Sequence, residues 1–120
     1  MPSYKLKNNV IRDPKGRVKY KKFTPDGHEH YHIGLWVEAD SEQELDQIQY
    51  VEYELHPSFQ NRIRKSENRK NDFSITFWSW GTFKVNAKLH MIGRQEPILI
   101  SHDLKYELPE DKVENYVDVS

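Results

Sequence analysis

The sequence predicts an all-β domain, an antiparallel β-sandwich of immunoglobulin-like type with about seven to eight strands and very little helix. Apolar and polar residues alternate with a period of two along most of the chain, and turn residues recur between these runs. The chain has 120 residues, the usual length of one domain with one core. We assign residues 1–109 to a single sandwich domain and residues 110–120 to an acidic C-terminal tail that we expect to be poorly ordered.

The predicted strands are runs in which every second residue is apolar. The clearest run covers residues 82–91, where Phe83 to Met91 supplies an apolar residue at each odd position and the even positions are polar. One face of this strand is therefore expected to be buried and the other wet. In chain order, the predicted strands lie around residues 4–10, 18–20, 33–37, 51–55, 73–77, 82–91 and 98–108.

Turn residues separate the predicted strands. Residues 13–16 (DPKG) and 24–27 (TPDG) combine a proline that presets φ with a glycine that accepts positive φ. Gly93 is expected to close a hairpin between the strands around Leu89 and Ile100. Only residues 40–47 suit a helix, because Asp40 or Ser41 could cap it and acidic residues follow in its first turn.

Composition narrows the possible compartments and partners. The chain has no cysteine, which excludes disulfides and thiolate metal sites and is typical of a reducing compartment. It has no apolar run of the roughly 20 residues that cross a bilayer, and residues 1–7 do not resemble a signal peptide. The formal net charge of −1 argues against nucleic acid binding through bulk charge. We therefore expect a cytoplasmic domain without a membrane or nucleic acid partner.

The first motif of interest is His56-Pro57-Ser58-Phe59, at the end of a predicted strand. Pro57 disfavours a helical conformation at His56, so Ser58 and Phe59 are expected in a loop at the end of the sandwich. The hydroxyl can donate and accept hydrogen bonds, and the phenyl face can stack on a flat group. Residues at i and i+2 around a proline rarely aim a base at a hydroxyl, and no glycine-rich elbow accompanies them, so catalysis is not indicated. Packing of Phe59 in the core is the structural alternative.

The second motif, residues 78–83, reads WSWGTF. Trp78 and Trp80 share one face if the segment is extended, opposite to Phe77. Gly81 would let the backbone approach a ligand closely. One tryptophan could simply fill the core while the other covers an edge, but together with the first motif the segment has the parts of a small stacking pocket. These parts indicate a non-enzymatic binding module.

At these two motifs the chain resembles the YEATS domain family, and its prokaryotic branch more than its chromatin branch. Residues 48–59 are similar to the family's strand that leads into a His-x-Ser/Thr-Phe loop. Residues 78–83 are similar to its Gly-Trp/Tyr-Gly-x-Phe loop, which an alternating strand follows. The likeness extends over about residues 27–108. The resemblance implies an immunoglobulin-like sandwich whose end loops recognise an acylated lysine, and for the prokaryotic branch a sensing or signalling role in bacteria.

The resemblance also implies roles for residues in the two loops. Phe59 and Trp80 would form the aromatic cage on either side of the acyl chain, and Ser58 would hydrogen-bond the acyl amide. The backbone near Trp80 and Gly81 would hold the acyl carbonyl oxygen, while His56 would support the Ser58 loop. An acyl-lysine is neutral, so such a pocket needs no countercharge. The resemblance implies neither a catalytic residue nor a cofactor.

Three further positions belong to the predicted site. Ser79 stands where the family usually has glycine, and a positive φ there would be strained for serine. His28 and Tyr31 lie in a segment where the family often has a histidine and an aromatic residue, and we place one of them at the pocket rim. His28, His30 and His32 alternate, so they could instead share a face and bind a divalent metal, but no fourth ligand is obvious. We predict no metal.

The segment 61–72, NRIRKSENRKND, breaks the strand pattern between the two motifs. It is polar and net basic, and the simplest interpretation is a solvated loop. It could alternatively guide an acidic partner. A second function is therefore open: a protein interaction or sensing module that keeps the fold but uses its loops, including this basic segment, for a protein partner. The ligand's identity, the acyl preference and the oligomeric state are not determined by the sequence.

Overall fold

The computed structural model describes residues 4–22, 29–106, 108 and 115–119. Within them lie nine strands and one short helix, and seven of these strands coincide with the period-two runs of the sequence. The strands are β1 (Lys5–Val10), β2 (Val18–Lys22), β3 (Glu29–Glu38), β4 (Ile48–Glu54), β5 (Ile63–Ser66), β6 (Ile75–Ser79), β7 (Lys84–Met91), β8 (Ile98–Asp103) and β9 (Tyr116–Asp118), and the helix is α1 (Glu42–Leu45).

The first sheet is organised around β3, the longest strand. Its N-terminal part pairs with β2 and its C-terminal part with β1 on one side, and β6 pairs along its other side; all three pairings are antiparallel. β9 extends the sheet by pairing with β2 in parallel. Ile33, Leu35 and Val37 are fully buried, so their face of β3 lies against the second sheet.

The second sheet has the antiparallel order β5-β4-β7-β8. Alternate residues of β4 and β7, among them Val51, Tyr53, Val85 and Leu89, have no exposed surface. These side chains meet those of the first sheet in one hydrophobic core. Two sheets that each bury one face form a β-sandwich, which confirms the predicted fold class.

The predicted turns and helix are present where the structure describes them. The Gly16 N–H donates to the Asp13 carbonyl at 2.9 Å, and both Gly16 and Gly93 have positive φ, as tight turns require. Gly93 lies between β7 and β8, which form the expected hairpin. Ser41 caps α1, its hydroxyl accepting from the Glu44 N–H. The turn predicted at 24–27 lies outside the described residues.

Two segments differ from the sequence prediction. The stretch 61–72, expected to be a loop, contains β5, which pairs with β4 at the edge of the second sheet, and a short 3-10 turn at Arg69–Asn71. Residues 116–118, expected in a poorly ordered tail, form β9 beside β2. Charged side chains on an edge strand mask its period-two signal, which explains why a loop was predicted at 61–72. Among the described residues, no helix is long and apolar enough to span a membrane.

Candidate ligand-binding site

The two motifs meet because their flanking strands are neighbours. β4 ends at Glu54 and β7 begins at Lys84, and these strands pair with Glu54 opposite Asn86. The loop that follows β4 and the loop that precedes β7 therefore emerge at the same end of the sandwich. β6, in the other sheet, ends at Ser79 and leads into the second of these loops.

The loops enclose a cavity of about 350 Å³, called here the aromatic cavity. It contains six of the eight predicted site residues, so the structure brings the two halves of the sequence prediction together. Its lining residues are His56, Ser58, Phe59, Ser79, Trp80, Gly81, Thr82 and Phe83. An adjoining cavity shares four of these residues and continues past His30, Trp78 and Arg64. No Asp, Glu, Lys or Arg lines the aromatic cavity itself, so it suits a neutral group.

Phe59 is held in place by two other phenylalanines. Its ring lies 5.7 Å from Phe77, edge to face, and 5.6 Å from Phe83, measured between centroids. The His56 ring lies 5.9 Å from Phe83. Phe59 therefore packs on the core, as the structural alternative expected, and also contributes to the cavity wall. Trp80, on the other loop, is 56% exposed and extends the wall into solvent.

The His56 imidazole and the Ser58 hydroxyl are in contact, contrary to the sequence expectation. Ser58 Oγ lies 2.9 Å from His56 Nδ1, and the Ser58 backbone N–H donates to the same nitrogen at 3.1 Å. Because the backbone N–H already donates to it, Nδ1 carries no proton, and the hydroxyl donates as well. The turn after Pro57 brings the two side chains together. The hydroxyl oxygen is thereby left with its lone pairs to accept a further hydrogen bond.

The second loop is fastened by hydroxyl groups. Both the Ser79 hydroxyl and the Tyr106 hydroxyl donate to the Gly81 carbonyl, at 2.9 and 2.6 Å. The Leu104 N–H donates to the Phe83 carbonyl at 3.1 Å. Burial is the main reason that the pKa of Tyr106 lies above its usual value, so its proton remains available for this hydrogen bond. The segment after β8 therefore anchors the loop that carries Trp80.

The backbone conformations of Ser79 and Gly81 differ from what the sequence suggested. Among the described residues, only Asp72 and Phe73 have positive φ outside glycine, so Ser79 is not strained. Its buried hydroxyl closes the turn instead. Gly81 does not have positive φ either, and a Cβ added there would meet no atom within 4 Å. Glycine is therefore not required by the loop itself, although the open space beside it would admit a ligand.

Tyr31 does not line the cavity. It lies on β3 opposite Ser79, with its ring 6.2 Å from both Tyr106 and Tyr116, and its hydroxyl donates to Glu29. Tyr31 therefore packs on Tyr106 and is not among the residues that line the aromatic cavity. His28, the other candidate for the rim, lies outside the described residues.

The other two histidines of the alternating set, His30 and His32, lie in different surroundings. His30 lines the adjoining cavity. His32 stacks on Trp78 with centroids 4.5 Å apart, and Lys21 Nζ lies 4.5 Å from the centre of the same indole. Trp78 is thus occupied in packing on the outer face of the first sheet. Within the described part of the chain, no three His, Asp or Glu side chains are grouped to hold a metal ion.

The comparisons with known proteins agree with this geometry. A sequence profile of the prokaryotic YEATS domain matches residues 31–105, which is more than half of the chain and includes both loops of the aromatic cavity.

The chain belongs to the prokaryotic YEATS family.

Solved structures of YEATS domains share the fold. The Yaf9 YEATS domain recognising an H3K122suc peptide aligns over 88% of this chain and 75% of its own, at 22% identity and a TM-score of 0.59. The yeast AF-9 homolog Yaf9 aligns over 89% and 74%, at 18% identity and a TM-score of 0.60. The Yaf9 YEATS domain bound to H3K27ac aligns over 94% and 79%, at 18% identity and a TM-score of 0.59. No curated protein matches the chain by sequence.

Two of the five cations in the basic segment 61–72 of this YEATS domain form ion pairs within the chain. Arg69 makes ion pairs with Glu42, Asp46 and Asp72 and so ties the segment to α1. Lys65 pairs with Glu67, and its ammonium group lies 4.4 Å from the centre of the Tyr50 ring. These ion pairs engage two of the five cations in the segment, and no ion pair is found for Arg62, Arg64 or Lys70 among the described residues, so the interaction-module alternative stays open.

The sequence analysis did not assign three residues that belong to the site. Thr82 and Phe83 line the cavity, and Tyr106 fastens its loop from the segment after β8. Thr82 and Phe83 follow directly on the predicted Trp80 and Gly81, so the motif itself contained the signal. Tyr106 is 25 residues away along the chain, and nothing in the local pattern connects it with Gly81.

Proposed function

We propose that this prokaryotic YEATS domain binds an acylated lysine, or a similar flat acyl group on a protein or peptide, in the aromatic cavity. The observation that carries the proposal is the cavity's combination of an aromatic, uncharged lining with one oriented hydroxyl. Acylation removes the charge of the lysine ammonium, so the modified side chain can enter an uncharged cavity without leaving a buried ion. An unmodified lysine would lose its hydration there without gaining a counterion.

Ser58 supplies the orienting group in this proposal. Its hydroxyl donates to His56 Nδ1, so its oxygen can accept the N–H of the acyl amide. The Gly81 carbonyl already accepts from two hydroxyls, and the acyl carbonyl oxygen needs a donor. We therefore assign that oxygen to backbone N–H groups of the loop around Trp80 and Gly81.

Phe59 and Trp80 supply the stacking surfaces. Phe59 is fixed by two ring contacts, which reduces the entropy lost when a ligand orders it. Trp80 is exposed, so a ligand that covers its face gains apolar burial. A flat unsaturated acyl group would gain about 1 kcal/mol per ring beyond the burial of its area. A crotonyl group should therefore bind more tightly than an acetyl group.

The Yaf9 domains give independent support. One of those YEATS domains recognises an H3K122suc peptide, and another structure has the domain bound to H3K27ac. Both ligands are acylated histone peptides. We infer by analogy that the present domain also takes an acylated side chain, presented by a protein partner. We propose binding rather than bond breaking, because the described residues place no carboxylate on the second ring nitrogen of His56.

The test is a calorimetric titration with acetyl-lysine, crotonyl-lysine and unmodified lysine peptides of one sequence. We expect saturable binding of the acylated peptides alone, and a loss of at least about thirtyfold in affinity for Trp80→Ala. Leu99→Ala is the matched control, because Leu99 is also a large exposed apolar residue but lies on β8. No saturable binding of either acyl peptide, or equal weakening by both variants, would contradict the proposal.

A further inference from the structure

A second cavity lies at the side of the sandwich, between β1 and the segment that follows β8. Its volume is about 650 Å³, and it shares no lining residue with the aromatic cavity. We call it the basic cavity. Its lining residues are Lys7, Asn8, Asn9, Val10, Arg12, His102 and Lys105.

The charge of this lining is one-sided. Lys7, Arg12 and Lys105 contribute three cations and no Asp or Glu takes part, although the whole chain has a formal net charge of −1. Lys7 and Lys105 are exposed, and neither makes an ion pair within the part of the chain that the structure describes. Like charges collected around one concavity repel each other and raise the local potential, so the arrangement favours an anion.

The wall of the basic cavity is held by long-range hydrogen bonds. The Asn8 amide donates from Nδ2 to the Lys105 carbonyl at 2.8 Å, and its Oδ1 accepts from the Lys105 N–H at 3.1 Å. The same oxygen lies 2.8 Å from His102 Nε2, which donates to it because Oδ1 has no hydrogen. This clamp fixes the backbone beneath Lys105 beside that of β1. The backbone positions of both lysines are therefore set before any ligand binds.

A glycine gives one lining side chain its position. A Cβ added to Gly34 would lie 2.6 Å from Asn9 Oδ1, which is closer than real Cβ contacts. Gly34 faces Asn9 in the β1–β3 ladder. The absence of a side chain at this position lets the Asn9 amide lie across β3 at the edge of the basic cavity.

We propose that the basic cavity binds a small phosphate-bearing molecule with two or more negative charges. Ammonium and guanidinium groups donate charge-assisted hydrogen bonds to phosphate oxygens. The lining contains no Phe, Tyr or Trp, and its one imidazole, His102, is already hydrogen-bonded to Asn8, so it offers little stacking surface for a nucleobase. Val10 is its sole apolar member, so burial of apolar area cannot drive binding. The ligand's charge and hydrogen-bonding capacity must do so, and a compact polyphosphate or a phosphorylated sugar meets both conditions.

The probe for the test is inorganic pyrophosphate, titrated by calorimetry into the full chain at constant ionic strength. Inorganic phosphate and ribose 5-phosphate, titrated in parallel, distinguish a need for two phosphates from a need for one phosphate on a sugar. We expect saturable binding that falls about tenfold for Lys7→Gln and about tenfold for Lys105→Gln, since each removes one charge-assisted contact. Lys88→Gln is the matched control, an exposed lysine on β7 in the second sheet.

Unfolding is not expected in these variants, because Lys7 and Lys105 are exposed and their side chains make no hydrogen bond or ion pair within the described residues. The thermal midpoint of each variant verifies this point. Absence of saturable binding of all three phosphates at about 10 mM, a concentration that detects even weak sites, would overturn the proposal. Equal loss for the Lys88 control would also overturn it. So would binding of a short single-stranded oligonucleotide, dependent on Lys7 and Lys105, without binding of pyrophosphate.

Discussion

The aromatic cavity and the basic cavity lie on one sandwich but suit opposite ligands. The first is lined by rings, hydroxyls and one imidazole, and the Ser58 hydroxyl, which we propose meets the ligand, is held by His56. The second is lined by three cations and two amides, and its clamp, Asn8, orders the backbone rather than the ligand contacts. The comparison teaches that one sandwich can present an aromatic, uncharged surface at its end and a positively charged surface at its side.

The two cavities are nevertheless joined through one short segment. Leu104 and Tyr106 fasten the loop of the aromatic cavity, and Lys105 between them lines the basic cavity. Alternate residues of an extended segment point to opposite sides, which explains how neighbours serve both.

The salt dependence of ligand affinity should distinguish the two cavities most clearly. Between about 50 mM and 500 mM NaCl, screening of its cations should lower pyrophosphate affinity at the basic cavity by about thirtyfold. Acyl-lysine affinity should change less than about twofold, because the aromatic cavity has no charged lining residue. Calorimetry in both salts measures the difference. A strong salt dependence of acyl-lysine binding would show that charge, rather than the aromatic lining, holds the peptide.

Removal of one hydroxyl should give the next largest effect. Ser58→Ala removes the proposed acceptor for the acyl amide, and we expect about a tenfold loss of acyl-lysine affinity with pyrophosphate affinity unchanged. Ser58 is exposed, so the fold should persist. Ser101→Ala, an exposed serine on β8, is the control. An unchanged acyl-lysine affinity in the Ser58 variant would remove this residue from the site.

The segment that joins the cavities can be tested at Tyr106. Tyr106→Phe removes the 2.6 Å hydrogen bond to the Gly81 carbonyl but keeps the ring that packs on Tyr31. We expect about a threefold loss of acyl-lysine affinity and a loss of about 1 kcal/mol in the free energy of unfolding. Calorimetric titration and urea denaturation measure the two effects. Stability loss without any change in affinity would limit Tyr106 to a structural role.

The smallest expected effect is a loss of folding stability at acidic pH. Burial, followed by nearby lysines, lowers the pKa of both His32 and His102 below the ordinary value of 6.5, although Asp103 partly opposes this at His102. Their neutral forms therefore favour the fold. This contribution is complete above pH 6.5 and is lost as pH falls from there toward the lowered pKa values.

The corresponding measurement is urea denaturation of wild type and variants at pH 7.5 and about pH 5.5. His102→Gln keeps a donor for Asn8, and His32→Phe keeps a ring on Trp78, so both preserve the packing while removing the titration. Each variant should lose less stability on acidification than the wild type. An identical loss in all three proteins would show that neither histidine contributes.

The fold was predictable because alternation reports which face of a strand is buried. β7 carries this signal through eight residues, and Gly93 marks its hairpin. β5 was missed because an edge strand is exposed on more than one side, and its Ile63 points into solvent. β9 was missed because its three residues pair with β2, almost a hundred positions earlier in the chain. A pairing between strands so far apart in the chain gives no signal in the local sequence.

The lining of the aromatic cavity was predictable from two short motifs and a family resemblance, since neighbouring strands bring their loops together. The hydrogen bonds within it were not. The His56–Ser58 contact depends on a turn geometry that proline spacing alone did not indicate, and the support from Tyr106 is tertiary. The basic cavity was not predicted, because Lys7 and Lys105 are far apart in sequence and their backbones are joined by tertiary contacts such as the Asn8 clamp.

The most direct test of the central claim is a titration of the ¹⁵N-labelled domain with a crotonyl-lysine peptide, followed by backbone amide shifts. The account predicts that the largest shifts fall on His56, Ser58, Phe59, residues 79–83 and the Trp80 indole N–H, while Lys7, Asn8 and Lys105 shift little. Shifts concentrated at β5 or around the basic cavity, or none that saturate, would contradict the assignment of acyl-lysine to the aromatic cavity.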